Sequence, residues 1–138
     1  MRALVLGATG FIGSNLVRAL LERGDEVRAL VRPSNPARTI SGLAIERVHG
    51  DLDDPESVAG ACRDIEVVYQ AASYYPTATI PVKHAIGHAL AQTDTLLAAI
   101  RRSGTRRLVF TSTLTTIGFP PSPGRLADED CPFVTQFS

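Results

Sequence analysis

Glycine stands at positions 7, 10 and 13 within the run VLGATGFIGSNLV, between an apolar stretch and an apolar-periodic one. In a strand, turn and helix, three such glycines have separate physical uses: a tight turn, close approach of the backbone to a pyrophosphate, and close packing of the helix on its strand. The free N–H groups of the helix start then face the phosphate charge. The spacing is Gly7-x2-Gly10-x2-Gly13, one residue longer in its first gap than the common dinucleotide fingerprint.

A second set of candidates follows the next apolar run. About 20 residues beyond the glycines, an acidic side chain would grip a ribose 2′-hydroxyl. Arg32 stands there instead. A carboxylate repels a 2′-phosphate, whereas a guanidinium holds one through forked hydrogen bonds. Arg32, with Ser34, Asn35 and Arg38 in the following loop, therefore argues for NADP over NAD. The alternative is that Arg32 is a solvated strand end stacking on adenine, which leaves the preference open. Asp51 is placed to accept from an adenine amino group and Leu52 to cover the ring, or Asp51 is simply a helix-capping carboxylate.

The elements that must position these residues alternate along the chain. RALVL (2–6) reads as a buried parallel strand. From Phe11 to Arg23, Ile12, Leu16, Val17, Leu20 and Leu21 recur at helical spacing until Gly24 stops the pattern. EVRALVR (26–32) predicts a second strand, and residues 34–42 a short helical or irregular connection. AIERV (44–48) predicts a third strand. Residues 53–62 read as a helix with Asp at its start and Pro55 in its first turn.

IEVVYQAA (65–72) predicts a fourth strand. A longer helix over 81–102 takes its apolar positions from Ile86, Leu90, Leu97 and Ile100, and RLVFTST (107–113) predicts the fifth strand. This order implies an α/β fold, a Rossmann-type doubly wound parallel sheet with helices on both faces. Residues 1–118 form its dinucleotide-binding core. Residues 119–138 are proline-rich and without period, a surface loop segment.

Composition narrows the partners. Fourteen basic and fourteen acidic residues cancel, so no net field draws the chain to nucleic acid or to an anionic membrane. A small molecule is the expected substrate. Arg101, Arg102, Arg106 and Arg107 flank a predicted helix end, where cations suit the macrodipole. The cysteines, Cys62 and Cys131, lack metal-ligand spacing and stand beside no histidine, which fits a reduced cytoplasmic protein. His84 and His88 are one helical turn apart, but with no third ligand nearby a polar helix face is the better reading. Gly7 interrupts the first apolar run before a signal sequence or membrane span is complete.

With GATGFIGSNLVRALLERG around the glycines, the chain resembles the extended short-chain dehydrogenase/reductase superfamily, which holds nucleotide-sugar epimerases, dehydratases and dihydroflavonol-reductase-like enzymes. GDLDDPES (50–57) is similar to the family's adenine-side segment and VVYQAAS (67–73) to the strand lining the nicotinamide ribose. LVFTSTLTTIG (108–118) is similar to the strand that delivers a catalytic hydroxyl. The resemblance implies a cofactor, NADP or NAD, held by Gly7, Thr9, Gly10, Phe11, Ile12 and Gly13 in the first turn. It further implies Arg32, Asn35 and Arg38 at the ribose, Asp51 and Leu52 at the adenine, and Ala71, Ala72, Ser73 and Thr111 toward the nicotinamide. Thr113 is the implied substrate-orienting hydroxyl, with Ser112 second.

The same resemblance calls for a Y-x-x-x-K pair as proton donor and its pKa-lowering partner. The tyrosines are Tyr69, Tyr74 and Tyr75 and the lysine is Lys83, so no such pair is present. The expectation is a C-terminally truncated chain whose tyrosine helix and substrate domain would follow Ser138. It would be half of an oxidoreductase, epimerase or dehydratase acting on a hydroxyl or carbonyl of a sugar nucleotide or similar molecule. The alternative is a short, non-catalytic NADP(H) sensor. Gln70 stands where the family often has histidine, and ALAQT (89–93) keeps only Thr93 of the family's N-V-x-G-T run. Tyr74, Tyr75 and Pro76 form an aromatic loop that either flanks the nicotinamide or a flat substrate, or covers the long helix as a surface cluster. That helix, 81–102, is the expected face of a homodimer.

Overall fold

The computed structural model describes residues 1–74, 80–113, 116–120, 122 and 124–131. Five parallel strands form one sheet in the order β3-β2-β1-β4-β5: β1 (Arg2–Leu6), β2 (Glu26–Val31), β3 (Glu46–His49), β4 (Val67–Gln70) and β5 (Arg107–Phe110). Three α-helices, α1 (Phe11–Glu22), α2 (Pro55–Ala61) and α3 (Val82–Ser103), and a 3₁₀ turn at Arg38–Ile40 connect them. The predicted doubly wound α/β arrangement is what forms.

Alternation along the central strand decides the two cores. Ala3 and Val5 face one side, packed with Val17 and Leu20 of α1 and Ile40 of the 3₁₀ turn. Leu4 and Leu6 face the other, with Val58 and Ala61 of α2 and Leu96 and Ala99 of α3. Burial on both sides explains why β1 is apolar without interruption.

Helix ends follow local chemistry. Gly24, at φ +86°, takes the left-handed conformation past α1 that a side chain resists. Asp54 caps α2, its carboxylate accepting from Glu56 N at 3.1 Å with Pro55 in the first turn. That capping makes α2 shorter than the expected 53–62. Gly104, at φ +73°, closes α3.

The strands depart from expectation at their ends. β3 begins at Glu46 rather than 44, because Ile45 N bonds back to Leu43 O in a turn. β4 covers 67–70 rather than 65–72, and β5 stops at Phe110 rather than 113. The last ladder contact is Thr111 N to Gln70 O at 3.0 Å, where the paired register of β4 and β5 ends. In α3, the apolar positions Ile86 and Leu90 are exposed, while the helix buries Ala85, Leu96 and Ala99. Among the described residues after Phe110 there is no α-helix or strand. No helix among the described residues is long and apolar enough to cross a membrane.

Candidate functional site

A parallel sheet gathers its loops at the carboxyl ends of the strands, where ligands of such folds bind. A cavity of about 1140 Å³ opens there. The expected residues Gly7, Thr9, Gly10, Ile12, Arg32, Asp51, Leu52, Ala71, Ala72, Ser73, Thr111 and Thr113 all line it. Phe11, Gly13, Asn35 and Arg38 do not.

The glycines divide their work between packing and opening. Gly7 sits at φ +78°, and a Cβ there would lie 2.7 Å from the Ala71 carbonyl and the Ala72 nitrogen. That position keeps the turn against the chain leaving β4. A Cβ at Gly13 would overlap the Gly7 carbonyl, so this glycine lets α1 fold onto its own turn. At Gly10 the nearest neighbour would be Gly7 O at 3.3 Å, and this residue faces the cavity.

Helix α1 starts at Gly10 without any side-chain cap and without an acidic residue in its first turn. The N–H groups of Phe11, Ile12 and Gly13 have no intrahelical acceptor by helix geometry. An uncapped helix start beside a cavity, reached through a residue with no side chain, fits an anionic pyrophosphate. Phe11 itself points outward and is exposed.

The loop after β2 is tied to the glycine turn by contacts that spacing did not reveal. Asn35 Nδ2 donates to Thr9 Oγ1 at 3.2 Å, while its Oδ1 accepts from Ala37 N at 2.8 Å. Thr39 Oγ1 donates to Thr9 O at 2.9 Å. Arg18 donates from Nη1 to Ser14 O and from Nη2 to Thr39 O, both at 2.7 Å. Asn35 therefore braces the wall rather than lining it. Arg32 is exposed and lines the cavity alone among the four ribose-side candidates Arg32, Ser34, Asn35 and Arg38.

Asp51 is not a helix cap, because Asp54 holds that place. Its Oδ1 accepts from Asp53 N at 3.2 Å, and its own N–H donates to Ser57 Oγ at 3.1 Å. On the far wall, Thr116 donates to the Thr113 carbonyl through both N (3.0 Å) and Oγ1 (2.7 Å), and Thr116 Oγ1 lies 3.1 Å from Ser112 Oγ. Tyr74 lines the cavity and also packs on His88 of α3, ring centroids 4.3 Å apart. Tyr75 and Pro76 lie outside the described residues.

Sequence reasoning missed Leu6, Leu30, Gly50, Gln92, Phe110 and Thr116 as lining residues. Leu6, Leu30 and Phe110 sit at or beside strand carboxyl ends, a rule that could have found them. Gln92 comes from the middle of α3 and had no sequence signal.

A smaller cavity of about 290 Å³ lies at the opposite end of the strands, lined by Arg2, Glu26, Arg28 and Glu46 among others. Its charges are mutually engaged. Arg28 Nε donates to Glu46 Oε2 at 2.8 Å, and its Nη1 donates to the Ala61 and Arg63 carbonyls at 2.8 and 2.7 Å. It offers an incoming ligand little. Cys62 is buried and burial pushes its thiol up to about 11, so it is a packing residue. Among the described residues, no three His, Cys, Asp or Glu gather to hold a metal.

The chain matches the NAD dependent epimerase/dehydratase family over residues 3–138. It is 39% identical over 121 residues to sterol demethylase protein B of Methylococcus capsulatus, covering 88% of this chain and 37% of that protein. It is 35% identical over 125 residues to a putative dihydroflavonol 4-reductase of Synechocystis sp., covering 91% and 36%. Among solved structures, UDP-glucose 4-epimerase of Thermus thermophilus, in complex with NAD, superposes with a TM-score of 0.79 at 32% identity. That match covers 97% of this chain and 44% of the epimerase. The chain thus spans little more than a third of the length of the curated relatives it matches.

Proposed function

Because this chain belongs to the NAD-dependent epimerase/dehydratase family, we propose that it is the cofactor-binding portion of an NAD(P)-dependent oxidoreductase, epimerase or dehydratase. The observation that carries the reading is the uncapped start of α1, approached through Gly10, at the mouth of the large cavity. The cofactor, when bound, supplies or accepts hydride. The first turn holds its pyrophosphate, Asp51 and Leu52 its adenine, and Ala71, Ala72, Ser73 and Thr111 the nicotinamide side.

NADP is the preferred cofactor, because Arg32 presents a cation to the cavity where an NAD site needs a carboxylate. Thr113, with Ser112 beside it, orients the oxygen of a small-molecule hydroxyl or carbonyl, a sugar nucleotide being one such substrate. The chain contains no Y-x-x-x-K pair, so by itself it binds cofactor without turnover. Balanced charge speaks against nucleic acid or membrane partners, and two free cysteines fit a reducing cytoplasm. A homodimer through α3 is supported by its exposed apolar positions Val82, Ile86 and Leu90.

Fluorescence titration of the chain with NADPH and NADH tests this. NADPH is expected to bind more tightly, and Arg32→Glu to weaken NADPH by roughly tenfold or more, as loss of a charge-assisted contact implies. Absence of saturable binding by either nucleotide would refute the reading. NADPH binding unaffected by Arg32→Glu would refute the cofactor preference alone.

A further inference from the structure

The segment that follows β2 carries two exposed arginines, Arg32 and Arg38, and neither side chain makes a hydrogen bond or ion pair among the described residues. Arg32 lines the large cavity. Unpaired cations do nothing to hold this segment, so its shape rests on other contacts.

Those contacts gather at the 3₁₀ turn Arg38–Ile40, where Ile40 is fully buried. The Ile40 carbonyl accepts from Arg47 Nη2 of β3 at 2.7 Å, and the Thr39 carbonyl accepts from Arg18 Nη2 of α1 at 2.7 Å. Arg18 Nη1 also donates to Ser14 O of its own helix at 2.7 Å, which fixes the guanidinium in place. The Thr39 hydroxyl donates to Thr9 O at 2.9 Å, and Asn35 Nδ2 donates to the Thr9 hydroxyl at 3.2 Å. Thr9 lies between Gly7 and Gly10 and lines the cavity. A single residue of the glycine turn is thus bonded, through both its carbonyl and its hydroxyl, to the segment that bears the arginines.

The backbone between these ties is not relaxed. Ala37 has φ +49°, in the left-handed region that an L side chain resists. Its N–H is held by Asn35 Oδ1 at 2.8 Å. A conformation of this kind persists only while its surroundings enforce it.

We propose that Thr39 and Arg18 are positioning residues for cofactor selectivity: their bonds hold the Arg32–Arg38 segment against the glycine turn in the form that receives a 2′-phosphate. The inference rests on the NADP reading above. The consequence is selective, because in that reading the pyrophosphate, adenine and nicotinamide contacts lie on other segments and the 2′-phosphate depends on this one. A cation already held in place leaves less to be ordered on binding. Thr39 and Arg18 are exposed, so each bond counts at the low end of the usual range, and its loss corresponds to roughly two- to fivefold in affinity.

The test is the ratio of NADPH to NADH affinity, by fluorescence titration, in the 138-residue chain, Thr39→Val, Thr39→Ser, Arg32→Gln and the double variant Thr39→Val, Arg32→Gln. Valine keeps the shape of threonine and removes the donor, whereas serine keeps the donor. The ratio is expected to fall by the stated factor in Thr39→Val and to stay unchanged in Thr39→Ser. Adding Thr39→Val to Arg32→Gln is expected to lower it no further, because the hydroxyl acts through the arginine. A merely structural threonine would weaken both nucleotides equally or lower the urea midpoint with the ratio intact, and either result overturns the proposal. An effect of Thr39→Val that is the same with and without Arg32 overturns it too. Arg18→Met, which removes the other tie from an exposed position, decides the matter by the same ratio should Thr39→Val fail to fold. No saturable binding, or equal affinity for the two nucleotides in the unchanged chain, removes the reading beneath this inference together with it. A preference for NADPH that Arg32→Gln abolishes and Thr39→Val leaves intact removes this inference alone.

Discussion

At Gly13 a methyl group would sit inside the Gly7 carbonyl, whereas at Gly10 it would meet only that same oxygen at 3.3 Å. Alanine has about 1 kcal/mol better helix propensity than glycine, but overpacking against unyielding backbone costs about 1–3 kcal/mol. Gly13→Ala is therefore expected to lower stability, read as a lower urea midpoint. Gly10→Ala is expected to lower that midpoint less than Gly13→Ala does and to weaken NADPH binding, because it crowds the approach to the α1 N–H groups. Equal stability losses in the two variants would contradict this division. The spacing of the glycines was legible in the sequence, because turn, approach and packing each demand that residue type. The roles of Arg18, Thr39 and Gln92 were not, since each depends on which distant segments the fold brings within hydrogen-bond reach.

Between α1 and β2 the chain turns at Asp25, a nearly buried carboxylate that accepts from the Met1 amine at 2.9 Å and from Arg23 Nε at 2.6 Å. The amine's hydrogen bond holds the Asp25 carboxyl below the usual carboxylate range, and the same bond raises the amine above its ordinary value. The lowered carboxylate contributes stability above its unfolded pKa, about 3.9, and loses it as pH falls through the lower folded value. The raised amine contributes below its unfolded pKa, about 8, and loses it as pH rises through the higher folded value. The difference in urea midpoint between the unchanged chain and Asp25→Asn is thus expected to be largest between about pH 5 and 7 and to shrink toward pH 3 and pH 9.5. A difference constant over that range would exclude the pair as its source. At this scale the sequence was most readable in element type and order, because periods of two and of 3.6 are local. Ends were less readable: β5 stops at Phe110 because β4 stops opposite it, which is a property of the pair.

Among the described residues the sheet ends on one side at β3, a short edge carrying Glu46, Arg47 and His49, and on the other at β5, where Val109 and Phe110 are exposed. Charged residues on an edge strand discourage pairing, and β5 has only Arg107 at its start. The first half of α3 exposes Val82 (68%), Ile86 (48%) and Leu90 (60%), four residues apart and therefore on one face. The second half of the same helix is buried through Leu96 and Ala99 against α2 and the sheet. Helical period identified the apolar positions of α3 but could not say which half finds a partner, since α2 is only seven residues long and covers one end. A contiguous apolar face of this kind favours association. The 138-residue chain is expected to show a concentration-dependent mass above 14.7 kDa in sedimentation or light scattering. The double change Ile86→Lys and Leu90→Glu is expected to shift it toward monomer, with unchanged circular dichroism and little loss of stability, because both side chains already face solvent. A clean monomer at high concentration in the unchanged chain would rule out this face as a self-association surface. Undiminished association of the double variant would move the contact to the bare edge of β5.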